Sequence, residues 1–123
     1  MPDEMRHGYP RADWDRAKVE AKDFLIECAR RRTTTSYSEL CEKVTAIRLR
    51  PYSFAIVGFL NEICTEEDAA HGTMLASLVV RKDTGMPGDG YFGHADKLGR
   101  ETAERRAFWE KEVQRIYREY ARA

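Results

Sequence analysis

Asp83, Asp89, His94 and Asp96 carry chemistry and lie close together in the chain. Three carboxylates and an imidazole at such spacing could ligate a metal or share acid and base roles. Asp89, however, stands between two glycines and Asp83 opens the turn signal Asp83-Thr84-Gly85, where Asp is expected as a turn former that bonds its own backbone. His7, His71 and His94 lack the spacing of a zinc site. No phosphate loop, nucleophile elbow or dinucleotide fingerprint is present. The residues therefore predict no catalytic group, no metal and no cofactor. Cys28, Cys41 and Cys64 are odd in number and form no C-x-x-C pair. They read as reduced thiols in or near a core, which points to a cytoplasmic protein.

The second kind of chemistry is cationic. Arg81 and Lys82 follow an apolar run, and Arg48 and Arg50 lie upstream. Such side chains meet phosphate oxygens. The chain as a whole has formal net charge zero, so it is not a strongly basic nucleic-acid binder, although a local patch remains open. Residues 30–50 hold Arg30, Arg31, Arg32, Lys43, Arg48 and Arg50 against Glu39 and Glu42, a net of +4. Residues 51–70 hold only Glu62, Glu66, Glu67 and Asp68, a net of −4.

The elements that must position these groups are mostly helical. At 123 residues and 42% hydrophobic, the chain suffices for one domain with a real core. Residues 1–11 read as a loose polar arm and 12–123 as the domain. Trp14, Ala17, Ala21, Leu25 and Cys28 recur at helical spacing, which predicts a helix from about Ala12 to Arg32. Thr33–Thr35 is a short extended link, because β-branched residues restrict χ1 in helices. Ser36-Tyr37-Ser38-Glu39 is a capping box, opening a short helix to about Ile47. Ser53 caps a third helix that turns Ile56, Phe59, Leu60 and Ile63 inward and stops at Gly72. Met74–Val80 then reads as a short strand, and Tyr91-Phe92 as its partner across the Gly/Pro-rich loop 83–90. Residues 96–99 read as a link. A long amphipathic helix follows from Thr102 to Ala121. No apolar run is long enough to span a membrane. The expected fold is α+β, mostly α: a winged helix–turn–helix with long N- and C-terminal helices and a β-hairpin wing.

The stretch TTTSYSEL (residues 33–40) resembles the helix–turn–helix entry of the DNA-binding domain of alkylguanine-DNA alkyltransferases and alkyltransferase-like proteins, and Ala55-Ile56-Val57-Gly58 echoes their recognition helix. The resemblance covers roughly residues 14–92 in element order. It implies a winged helix that binds double-stranded DNA. The family's active-site cysteine motif would fall near Leu75-Ala76-Ser77-Leu78, and its arginine finger at Ala55. No thiolate stands there, so alkyl transfer is excluded. The segment 78–92 also resembles one in small uncharacterised bacterial and phage proteins, which implies no function.

Two readings follow. In the first, a non-catalytic protein binds double-stranded DNA through backbone phosphates with Arg48, Arg50, Arg81 and Lys82, while Tyr52 and Ser53 stand at the start of the recognition helix. Such contacts position a protein but read little sequence. In the second, the same fold is a protein-interaction module that meets a basic partner through Glu62 and Glu66, with an exposed Met86 at the loop tip.

Overall fold

The computed structural model describes residues 5–121, and the first four residues of the expected arm lie outside them. The fold is α+β and mostly helical. Strands β1 (Met5–Arg6) and β2 (Tyr9–Pro10) form an antiparallel hairpin that leads into helix α1 (Arg11–Arg30). His7 and Gly8 turn it at φ 52° and 85°, the positive pair that tight hairpins of this kind require. The hairpin lies against the helices. His7 stacks on Trp14 at 5.1 Å, and its Nε2 would lie 2.7 Å from a Cβ at Gly58. Glycine at position 58 therefore lets this ring approach.

Strand β3 (Thr35–Ser36) precedes helix α2 (Tyr37–Lys43), and helix α3 (Phe54–His71) follows. Both expected caps form. The Ser36 hydroxyl accepts from the Glu39 N–H at 3.1 Å, and the Ser53 hydroxyl accepts from the Ile56 N–H at 3.2 Å. Gly72 ends α3 at φ 70°, as its sequence position predicts. Helix α2 ends before Ile47, because Val44 turns extended. Val44, Ile47 and Leu49 still reach the core from the irregular link 44–53. Glu20 of α1 holds that link, accepting from the N–H groups of Thr45 (3.0 Å) and Ala46 (2.8 Å).

The expected β-hairpin wing does not form. Leu75–Leu78 is a 3₁₀ turn packed between α1, α3 and α5, and only Val79–Val80 is extended, as β4. β4 pairs in parallel with β3. All four residues of the 3₁₀ turn are buried, and periodicity cannot distinguish a strand from a turn in a run buried on every side. Its backbone is satisfied by side chains: Glu112 accepts from the Met74 N–H (2.8 Å) and Trp109 Nε1 donates to the Ser77 carbonyl (2.8 Å). Tyr91 and Phe92 lie in helix α4 (Asp89–Lys97), not in a strand. Gly88 is its N-cap, Asp89 suits the positive end of the helix dipole, and Tyr91, Phe92 and Ala95 form its buried stripe. The expected link 96–99 moves to residues 98–104, because α4 runs on to Lys97 and the last helix starts at Arg105 in place of Thr102. Helix α5 (Arg105–Glu119) closes the core with Val113, Ile116 and Tyr117.

Candidate nucleic-acid interface

The start of α3, the 81–88 loop and the start of α4 surround a cavity of about 280 Å³. Its apolar wall comes from Ile56, Val57 and Leu60 of α3, Met74 and Ala76 of the 3₁₀ segment, and Tyr91 of α4. Gly90 lets α4 approach α3 closely: a Cβ there would meet Val57 at 3.0 Å. Tyr37, Tyr52 and Arg81 line the same cavity. The two tyrosine rings lie 5.6 Å apart, and the Arg81 guanidinium sits over Tyr52 at 5.2 Å. Tyr52 holds φ 64°, a left-handed conformation disfavoured for a bulky residue. The Tyr37 hydroxyl accepts from the Gly88 N–H at 3.0 Å, and burial pushes its pKa up. Tyr37 thus stays a neutral phenol at neutral pH.

The exposed surface beside it is aromatic and cationic. Phe54 is 93% exposed and Tyr52 60%, and Val57 is partly exposed one turn on. Arg48, Arg50 and Lys82 are exposed. Ser53 serves as the α3 cap, and its hydroxyl also donates to the Arg50 carbonyl (2.8 Å). Arg81 forms a two-bond pair with Asp83, at 2.9 and 2.8 Å. The loop closes on itself through Arg81 N–H to the Met86 carbonyl (2.9 Å). Met86 is half-buried against the core, and residues 82–85 form the exposed tip in its place. The loop's own closure turns Met86 inward, so it is not the exposed tip that was expected.

Glu62 and Glu66 face α1. Lys18 donates to Glu62 (3.1 Å) and Glu66 (2.7 Å), Lys22 to Glu66 (2.7 Å), Arg6 to Glu62 (2.7 Å) and Trp14 Nε1 to Glu62 (3.1 Å). Burial works against both carboxylates, but these bonds outweigh it and lower their pKa values. The acidic charge of α3 is therefore neutralised within the chain. The four residues that suggested acid–base or metal chemistry are separately engaged. Asp83 holds Arg81, Asp89 meets Arg105 (2.8 Å), His94 meets Thr65 (2.9 Å) and Asp96 accepts from Thr102. Among the described residues, no group of three or more His, Cys, Asp or Glu side chains is arranged to hold a metal ion. Cys64 also lines the cavity, and burial pushes its thiol up to about 12, which keeps it protonated and unreactive. No described helix is long and apolar enough to cross a membrane.

Sequence reasoning did not single out Phe54, Val57, Asn61, Ala76 or Gly90 as site residues. Phe54 did carry a signal: an aromatic directly after an N-cap and off the Ile56–Phe59–Leu60–Ile63 stripe. No protein-family model, curated protein or solved structure matches the chain.

Proposed function

We propose that this chain is a non-catalytic protein that binds double-stranded DNA through backbone phosphates and receives one unstacked base in the cavity under Tyr37 and Tyr52. The helix pair α2–α3 serves as a helix–turn–helix, and the 81–88 loop takes the place of a wing. The observation that carries the reading is an aromatic-lined cavity whose exposed Tyr52 lies under the Arg81 guanidinium, with exposed Phe54 and Lys82 each within two residues of that pair in sequence. Unstacked bases are taken up by stacking on aromatic and apolar side chains, while arginine and lysine neutralise phosphates. The alkyltransferase resemblance supports the same reading. Of Leu75-Ala76-Ser77-Leu78, which the resemblance sets against the family's cysteine motif, Ala76 lines the cavity.

The test is a titration of labelled duplex at two salt concentrations. Wild-type affinity should fall steeply with salt. Lys82→Ala and Arg81→Ala together should weaken binding about equally on unrelated sequences and reduce the salt slope by roughly two. No binding near physiological salt would overturn the proposal.

A second reading, docking of a protein partner, is favoured by the exposed apolar set Phe54, Val57 and Tyr52. It moves the partner surface away from Glu62, Glu66 and Met86. If duplex does not bind, a partner whose capture is lost on Phe54→Ser is its expected result.

A further inference from the structure

Where α3 ends against α5, a second cavity of about 270 Å³ is lined by His71, Thr73, Arg115, Arg118 and Glu119. It lies at the opposite end of α3 from the Tyr37–Tyr52 cavity and shares no lining residue with it. Thr73 is 2% exposed, and its hydroxyl is the one buried side-chain oxygen or nitrogen without a hydrogen-bond partner among the described residues. The Tyr120 hydroxyl donates to Glu67 at 3.4 Å and lies near enough to Thr73 to feel it, but not in the geometry of a full hydrogen bond. An unmade bond at a buried hydroxyl is unfavourable and calls for a partner.

The charges around it say what that partner is. Arg115 donates through Nη1 to Glu112 (2.7 Å) and through Nη2 to the Gly72 carbonyl (2.7 Å). A guanidinium has five N–H donors, so these two bonds leave capacity. Arg118 lies three residues on, one turn along the same helix face, and has no carboxylate within ion-pair distance among the described residues. Glu119 faces the His71 Nδ1 at 3.3 Å, and the His71 Nε2 lies 3.8 Å from Glu67. Hydroxyl and guanidinium donors therefore exceed the acceptors left free. We infer that this cavity is a binding site for a tetrahedral oxyanion of the phosphate class, held by the Thr73 hydroxyl and the Arg115 and Arg118 guanidinium groups.

The experiment is an NMR titration of the full chain with inorganic phosphate at constant ionic strength, with acetate and chloride as controls. Phosphate should shift the Thr73, Arg115 and Arg118 resonances saturably, and acetate should shift them less. Thr73→Val keeps the side-chain shape and removes the hydroxyl. It should weaken phosphate binding by about tenfold, the size of one charge-assisted hydrogen bond, while the fold is retained in phosphate-free buffer. Arg118→Ala changes an exposed residue and should weaken binding comparably. Saturable shifts that survive both substitutions unchanged would overturn the inference. So would linear shifts shared with chloride. Retained phosphate binding by a Thr73→Val variant that melts lower without phosphate would assign the hydroxyl to a structural water instead.

Discussion

Replacing Trp14 with alanine should destabilise the fold by about 3–5 kcal/mol, the range for removing a large buried aromatic. Against a total of roughly 5–15 kcal/mol for a domain, this brings the chain close to unfolding. Trp14 is fully buried and meets Phe59 edge-on at 5.2 Å. It also joins three parts of the chain. Its ring carries the N-terminal hairpin through His7 and Tyr9, and its Nε1 donates to Glu62 on α3. The substitution opens a cavity and removes one donor from a carboxylate that also holds Arg6 and Lys18. Urea denaturation followed by tyrosine fluorescence and far-UV circular dichroism checks it. A loss below about 1 kcal/mol would show that the α1–α3 junction is not the centre of the core.

Ala76→Leu should have the largest effect on function without a comparable effect on stability. Ala76 is 4% exposed and lines the cavity beside Met74 and Leu60. A larger side chain there fills the space that the proposed function assigns to a base. Cavity filling at a compatible site stabilises by about 0.5–2 kcal/mol, so the melting temperature should hold or rise. Of the proposed phosphate contacts only Arg81 lines the cavity, and Arg48, Arg50 and Lys82 do not, so affinity for fully paired duplex and its salt slope should change little. The preference for a duplex carrying a mismatched or unpaired base should disappear. Stacking on aromatics contributes about 1–3 kcal/mol per base, so the wild-type preference at stake is at least about fivefold. Competition anisotropy with paired and mismatched duplexes reads both numbers. An unchanged preference in Ala76→Leu would show that the cavity does not receive the base.

Much of the helical frame was legible from local signals. The capping serines Ser36 and Ser53 and the stop at Gly72 act within a few residues of themselves, and each forms as its neighbours predict. The apolar stripe of α1 likewise reports its own burial. The centre of the chain was not legible, because its structure is decided at long range. Val79 and Val80 have strand character, but their partner is Thr35–Ser36, far away in sequence, in place of Tyr91-Phe92. Asp89 and Gly90 looked like a turn, and the buried faces of Tyr91, Phe92 and Ala95 turned that segment into α4. The same limit applies to the site. Arg81 and Lys82 could be picked by type, and Tyr52 and Ser53 by position before a helix. Ala76, Val57 and Asn61 are ordinary residues that matter only because three distant segments meet around one cavity. Glu62 and Glu66 looked free for a partner because Lys18 and Lys22 lie one helix away.

The most direct measurement uses 2-aminopurine, whose fluorescence rises when it leaves the base stack. A duplex with the probe at an unpaired position is titrated to saturation with the full chain, and anisotropy of a separate label reports complex formation. Binding and a fluorescence increase should appear together in the wild type. Tyr52→Ala with Phe54→Ala should reduce the increase at equal saturation, and Ala76→Leu should abolish it. Saturable binding with no change in 2-aminopurine fluorescence, or an increase that persists in all of these variants, would contradict uptake of a base by the Tyr37–Tyr52 cavity.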